Sequence, residues 1–515
     1  MGELRLRLYD TLSASPRLLV PARPGEVRVY CCGPTTYDVA HVGHARAALT
    51  PDILVRYLRV QGLRVTYARN ITDVDDKILK RAAESGEEPT ALSARMAALY
   101  QEDMAALGCL TPDVEPRVSE HVSDIIAMIE KLITAGSAYV ADMKSGARDV
   151  YYAVRTFAEY GKLSKRNVED LRVGARIEAS EDKRDPLDFA LWKGCVDDAW
   201  GWDSPWGKGR PGWHIECSAM SSRYLGHGFD VHAGGMDLIF PHHENEIAQS
   251  EAIPGAEGPF ARIWIHNGFV NVDKEKMAKS LGNFVTIRDV YARNDPEALR
   301  YFLLTVHYRG PIAFETDKLE SGRVVFQGVL EAERRVDYLY QTLERLDDLA
   351  GRPREALGKG PKELISFMQL AKGAATRVEA ALDDDLNTPA ALVVVAELAK
   401  AGNELCDLAQ RRRKDAALTG AAPEPAEALA AALRSALGTL GLIQTPVDVY
   451  VARTRERRLR QIGKTPEAIE AQVAARMAAR KAKDFAASDA IRDALLADGI
   501  EVADSDMGTT WRIAP

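Results

Sequence analysis

Two short segments, far apart in the chain, carry residues suited to handling a nucleotide. His41-Val42-Gly43-His44 follows a strand-like run and a Gly33-Pro34 turn, and it stands where a helix is expected to begin. A helix N-terminus offers unpaired N–H groups and partial positive charge to a polyphosphate. Gly43 lets a base or ribose approach the backbone closely. Two imidazoles there can donate to phosphate oxygens as charge builds during attack on an α-phosphate. The second segment, Lys276-Met277-Ala278-Lys279-Ser280-Leu281-Gly282-Asn283, is a cationic loop with a glycine. Its lysines act as mobile point charges that can close over a nucleotide and stabilise departing pyrophosphate.

Between them lies a metal-ligand constellation. Trp213-His214-Ile215-Glu216-Cys217 and Pro241-His242-His243-Glu244-Asn245-Glu246 bring thiol, imidazole and carboxylate together. If 242–250 is helical, His242 and Glu246 share a face at i, i+4, and His243 with Glu246 at i, i+3 would serve nearly as well. Cys31 and Cys32 are neighbours in a strand, so they point to opposite faces and only one is expected to bind. A Cys₂-His-Glu zinc site is therefore available. Gly234-Gly235-Met236-Asp237 precedes the helix and suits close contact with adenosine, with Asp237 placed for ribose.

These groups need a scaffold. The run 27–33 reads as a strand, 44–61 as a helix and 63–70 as a second strand, which together make a βαβ unit and imply a parallel sheet. The pattern returns at Phe229–Ala233 and Ile263–His266, with a helix starting near Pro241. The expected organisation is a Rossmann-type α/β catalytic domain (1–115 and 210–262) split by an insertion at 116–209. A connecting region with the lysine loop (263–322), a helical bundle (323–447) and a C-terminal domain (448–515) follow. Polar breaks are expected around 351–362 and 411–425, and the tail reads as two short helices followed by strand-like 499–502 and 509–512.

Composition sets limits. At 515 residues, with 46% apolar and 28% charged content, the chain fits a soluble protein of roughly three or four domains. A net charge of −8 confines RNA binding to local basic surface. Residues 451–484 supply one, with ten basic side chains against four acidic ones, and Trp511 follows as a base-stacking candidate. Charges interrupt every apolar run at the start, and no stretch is long enough to span a bilayer, so a cytoplasmic location is expected. Six cysteines without a CxxC suggest a metal site assembled from distant segments; Cys109, Cys195 and Cys406 read as core or incidental thiols.

The strings at 30–38 (Tyr-Cys-Cys-Gly-Pro-Thr-Thr-Tyr-Asp), 69–77, 212–220, 240–246, 384–389 (Asp-Asp-Leu-Asn-Thr-Pro) and 508–512 resemble the cysteinyl-tRNA synthetase pattern nearly end to end. The resemblance implies a class I synthetase that ligates L-cysteine to tRNA-Cys through cysteinyl-adenylate. ATP with Mg²⁺ is the second substrate, and one Zn²⁺ per chain selects the substrate thiolate. It assigns zinc to Cys32, Cys217, His242 and Glu246, and the chemistry to His41, His44, Lys276 and Lys279. Gly43, Gly234, Gly235, Asp237, Lys279 and Ser280 fall to the nucleotide, and Gly33, Thr72 and Trp213 to the amino-acid pocket. The 448–515 domain becomes an anticodon-binding domain, and a monomer without membrane partners is expected. The third position of the family's Lys-Met-Ser-Lys-Ser is Ala278 here, which removes a hydroxyl and keeps both lysines. The chain is also longer than typical bacterial members, with the excess expected near 351–362 and 411–427.

Overall fold

The computed structural model describes residues 4–167, 183–196, 200–256, 258–272, 275–276, 284–318, 324–354, 361–505 and 508–514. Its centre is a four-stranded parallel sheet in the order Ala261–Asn267, Phe229–Gly235, Glu26–Cys31, Arg64–Arg69. The apolar strand Glu26–Cys31 is buried almost throughout, as expected of a parallel sheet covered on both faces. The helix Val42–Val60 crosses from Glu26–Cys31 to Arg64–Arg69 and packs Val42, Leu49, Ile53, Leu54 and Leu58 into the main core. The chain leaves the central strand toward Arg64–Arg69 on one side, and Phe229–Gly235 lies on the other. The crevice between the carboxyl ends of these strands is a topological switch point, the usual ligand position in open α/β sheets.

Within the span expected as an insertion, Ala138–Asp142, Arg148–Tyr152, Phe189–Gly194 and Gly209–Pro211 form an antiparallel sheet over a separate core around Trp192, Tyr152 and Ile129. After the central sheet, Val270–Val272 pairs in parallel with Ile312–Phe314 and antiparallel with Glu275–Lys276. The four long helices Gln327–Ala350, Glu363–Asp383, Thr388–Arg411 and Pro423–Thr439 pack on one another as a bundle. Arg300, in the helix Pro296–Leu304, is completely buried. It pairs with Asp52 of the first helix and donates to the carbonyls of Leu440 (2.8 Å) and Gly108 (3.1 Å), joining bundle and catalytic core at one side chain.

The C-terminal segment holds three helices, Val447–Ile462, Pro466–Lys481 and Phe485–Ala497, where the sequence suggested two. The apolar period is interrupted at Gly463 and again at Lys483, both in the left-handed region, so each break starts a new helix. The hairpin Ile500–Ser505 with Gly508–Ile513 follows, over a small core of Leu459, Ile469, Leu495 and Ile500. The expected break at 411–425 is largely helical, with Ala416–Ala421 and then Pro423 opening the last bundle helix. Among the described residues no helix is long and apolar enough to cross a membrane.

Candidate active site and metal centre

His41 is the N-cap of the helix Val42–Val60. Its Nδ1 accepts from the Gly43 N–H at 3.1 Å, and Nδ1 of His44 accepts from the His41 N–H at 3.1 Å. The imidazoles thus perform the reciprocal capping usually made by Ser/Thr and Glu. A neutral ring that accepts at Nδ1 carries its proton on Nε2, so the capping selects the Nε2–H tautomer of both rings. The rings stack at 3.8 Å. The chain returns to this point after the lysine loop: Val42 N–H donates to the Val285 carbonyl and Ile287 N–H to that of Ala40. Upstream, the backbone of Lys276 pairs with Asn271. The stretch carrying the lysines is therefore tied at one end to the connecting sheet and at the other to the histidine motif. Lys279 and Ser280 themselves lie outside the described residues.

A cleft of about 500 Å³ opens here, lined by Cys32, Gly33, Tyr37, His41, Gly43, His44, Trp213, Gly235, Asp237 and Phe269 among others; that volume suits a nucleotide-sized ligand. A larger groove of about 1050 Å³ runs along the bundle between Glu363–Asp383 and Pro423–Thr439. Alanines and aliphatic side chains dominate its wall, and among the described residues no histidine or cysteine lines it. The smaller cleft, where polar groups converge at the switch point, is the candidate site.

At Cys32, which lines the cleft, the four expected metal ligands come together. One donor atom from each of Cys32, Cys217, His242 and Glu246 lies within 4.8 Å of the others. The two sulfurs are 3.6 Å apart, close to the ~3.7 Å that a tetrahedral zinc with ~2.3 Å Zn–S bonds requires. His242 Nε2 lies 3.1 Å from Glu246 Oε1. Cys31 is absent from the donor set, as strand alternation requires. A second set, Cys32, His232, His243 and Glu246, meets the same distance, so the open choice between His242 and His243 persists in the geometry. The first set holds both thiols; the second leaves Cys217 as a buried sulfur beside Cys32.

The electrostatics describe a cluster without a cation of its own. Burial pushes the Cys32 thiol and the Glu246 carboxyl well above their ordinary ranges. It holds His242 and His243 well below theirs, and His214, His232 and His266 down to about 3. Neutral imidazoles and convergent lone pairs, with no lysine or arginine among them, make a donor set that a divalent ion would complete. Around it runs an imidazole chain. His232 Nε2 meets Glu246 Oε2 at 2.9 Å, and His214 Nδ1 meets His242 Nδ1 at 3.0 Å. His243 Nδ1 meets His266 Nε2 at 2.7 Å, and His266 Nδ1 meets the Thr11 hydroxyl at 2.7 Å. Such partners fix the rotamers of ligand side chains.

The residues expected to frame an amino-acid pocket occupy different depths. Trp213 is partly exposed at the cleft and stacks on His242 with centroids 4.4 Å apart. A Cβ on Gly33 would sit 1.6 Å from the Asn70 carbonyl oxygen, so only glycine fits. Thr72 does not reach the cleft wall. It is buried behind Gly33, accepting from Asn70 Nδ2 at 3.1 Å and donating to Glu216 at 3.3 Å. Gly235 lines the cleft, and Gly234 beside it packs against the His243 ring. Asn70 was not singled out from sequence. It binds the Gly33 N–H at 2.8 Å and faces the Cys217 sulfur at 3.6 Å. Its position at the carboxyl end of a predicted strand was the available signal. The same holds for His232, inside the strand that ends in Gly234-Gly235.

Residues 18–323 match the family model described as tRNA synthetases class I (C) catalytic domain, 377–444 the DALR domain, and 463–512 the Cysteinyl-tRNA ligase anticodon binding domain. The chain is 50% identical to the cysteine--tRNA ligase of Anaeromyxobacter sp. (strain K), over 99% of this chain and 100% of the relative. It is 46% identical to that of Geobacter sulfurreducens with the same coverage. Among solved structures, Mycobacterium tuberculosis methionyl-tRNA synthetase in complex with methionyl-adenylate shares the fold, with a TM-score of 0.61 at 17% identity over 86% of this chain and 94% of that one. With a parallel sheet, a histidine-capped helix and matches along nearly its whole length, the chain belongs to the cysteinyl-tRNA synthetase family of class I aminoacyl-tRNA synthetases.

Proposed function

We propose that this enzyme ligates L-cysteine to tRNA-Cys in two steps, with zinc held by Cys32, Cys217, His242 and Glu246. The observation that carries the reading is the convergence of these four donors at Cys32, which lines the same cleft as the His41–His44 helix terminus. In the first step a cysteine carboxylate oxygen attacks the α-phosphorus of Mg²⁺-bound ATP. The α–β bridging P–O bond breaks, and pyrophosphate leaves cysteinyl-adenylate behind. The work is positioning and charge stabilisation. His41 and His44 donate from Nε2 to the phosphates, joined by the helix terminus, and Lys276 and Lys279 neutralise the developing pyrophosphate. Gly43, Gly235 and Asp237 border the adenosine, beside Gly234, while Ser280 belongs to the lysine loop. In the second step a terminal adenosine hydroxyl of the tRNA, the 2′-OH by family pattern, attacks the adenylate carbonyl and AMP departs.

Bound zinc would supply a Lewis acid that takes the substrate sulfur as thiolate, a bond serine's hydroxyl cannot match. Asn70 holds Gly33 so that the backbone borders the substrate, and Trp213 fixes the His242 ring. A pocket judging size alone rejects a near-isostere only about 10²-fold, whereas one built on a specific strong contact reaches about 10⁴, so no editing site is required. The 448–515 segment would read the tRNA. Cysteine-dependent ATP–pyrophosphate exchange, run beside serine and with zinc assayed in the protein, tests the reading. Exchange specific to cysteine in a protein holding one zinc supports it. Equal exchange with serine contradicts it.

A further inference from the structure

The Asp-Asp-Leu-Asn-Thr-Pro run at 384–389 has no place in the chemistry above. It forms the turn between the bundle helices Glu363–Asp383 and Thr388–Arg411. Asp385 and Leu386 both hold positive φ, 57° and 52°, a conformation costly for residues other than glycine and maintained only where surroundings impose it. The turn is pressed into the catalytic core. Asp385 Oδ1 accepts from the Tyr9 N–H at 2.8 Å and the Tyr308 hydroxyl at 2.7 Å, and Oδ2 accepts from Arg309 Nε at 2.6 Å. The Asp385 N–H donates to the Arg7 carbonyl, and the Thr388 hydroxyl to that of Leu304 at 2.9 Å.

The loop thus gripped, 307–310, is a keystone between two halves of the nucleotide site. Gly268 N–H donates to the Tyr308 carbonyl at 2.8 Å, and a Cβ on Gly268 would lie 2.3 Å from the Gly310 oxygen, so the two segments are in closest contact. Gly268 and Phe269 line the cleft and lead into Val270–Val272. That strand pairs with Ile312–Phe314 on one side and with Glu275–Lys276 on the other. From the opposite side Arg46, buried and two residues beyond His44, donates from Nη2 to the carbonyls of His307 and Tyr308 at 3.2 Å and also to that of Gly310.

We propose that Asp385 is a positioning residue for adenylate formation: by clamping Tyr308 and Arg309 it sets the 307–310 loop against Gly268, and with it the register of the strand pair that carries Lys276. It touches neither substrate nor metal and acts through backbone placement. The inference rests on the proposed function, and the assay separates the two. Cysteine-dependent pyrophosphate exchange and thermal denaturation are measured on the zinc-loaded full chain, on Asp385→Ala, and on the double variant Tyr308→Phe/Arg309→Ala. The double variant removes the Tyr308 and Arg309 hydrogen bonds to Asp385 and leaves in place the tie to Tyr9 and the His307 ring 3.7 Å from Asp385 Oδ2. A displacement of about 1 Å at a catalytic group costs up to ~10²-fold. Both variants are expected to lose about tenfold in kcat with the KM for cysteine within about twofold of wild type, the pattern of a lost transition-state contact. Asp385→Asn, which keeps an acceptor for Tyr9 and Tyr308, is expected to recover part of the loss. Wild-type kcat in the double variant, whatever its melting temperature, overturns the proposal and leaves the turn a purely structural joint. If Asp385→Ala does not fold, the double variant decides. No exchange by the wild-type chain overturns the proposed function, and this inference with it.

Discussion

Cys32→Ser exchanges one sulfur for oxygen where four donors meet. It is expected to reduce zinc content and to lower kcat/KM for cysteine by about 10²-fold or more, while narrowing discrimination against serine. Near-normal values of both in pyrophosphate exchange would contradict the assignment. His232 is the sharper test of the surroundings. Its Nε2 contact with Glu246 would orient a proposed ligand, so His232→Ala should weaken zinc binding by about 10–100-fold in chelator competition; unchanged affinity would remove it from the site. The cluster also fixes a pH dependence for the metal-free protein. Five imidazoles, those of His214, His232, His242, His243 and His266, are held neutral by burial, and in the unfolded chain each takes up a proton near pH 6.5. Glu216 and Glu246, raised by burial, act oppositely: folded, they hold protons that the unfolded chain has released above about pH 4.5. The histidines outnumber them, so the unfolded state binds more protons between about pH 6.5 and 5, and stability falls on acidification through that window. The slope is about 1.4 kcal/mol per pH unit for each uncompensated proton. A urea midpoint equal or higher at pH 5.5 than at pH 7 would refute this.

The elements show how much a single sequence reveals. The βαβ unit at 26–69 was legible because its apolar periods switch cleanly between two and 3.6, and His41 stands where the switch occurs. Its reciprocal cap with His44 was not legible, since imidazoles rarely fill that role. The candidate ligand set was legible as residue types, but not its imidazole surroundings, which come from separate strands and helices between His214 and His266, with Thr11 joining from 255 residues before His266. Spacing also cannot show that a helix is pinned from within. Arg300→Leu would remove the fully buried of the two arginines that pair with buried Asp52, and breaking such a pair typically costs about 3–5 kcal/mol. A drop of that size in unfolding free energy is expected from denaturant titration, and a change under 1 kcal/mol would show that Arg56, which also pairs with Asp52 at 2.9 Å, suffices.

Across the whole molecule the basic tail takes on a second meaning. Sequence suggested a surface for RNA, yet much of its charge is turned inward. Arg453 pairs with Asp295 at 2.8 Å, Arg457 and Arg458 with Glu333, Arg458 with Asp337 at 2.9 Å, and Arg476 with Asp504 at 2.8 Å. Those acids, apart from Asp504, lie more than a hundred residues upstream, which is why charge counting within 451–484 could not find them. Burial pushes the Glu333 carboxyl up, but Arg457 and Arg458 more than offset it and hold it below its ordinary range. Bundle and C-terminal helices are thus joined by a buried charged hub. Glu333→Ala should loosen that joint and depress tRNA charging at least about tenfold, with pyrophosphate exchange within about twofold of wild type, because adenylate formation uses the cleft, which Glu333 does not line. Equal loss of both activities would place the effect in the catalytic domain instead. The account as a whole, a metal-centred cysteine site joined to a tRNA-reading tail, is tested most directly by charging purified total tRNA with labelled cysteine in the presence of a large excess of unlabelled serine. It predicts robust labelling confined to tRNA-Cys and undiminished by serine. Labelling suppressed by serine, or absent while pyrophosphate exchange persists, would contradict it.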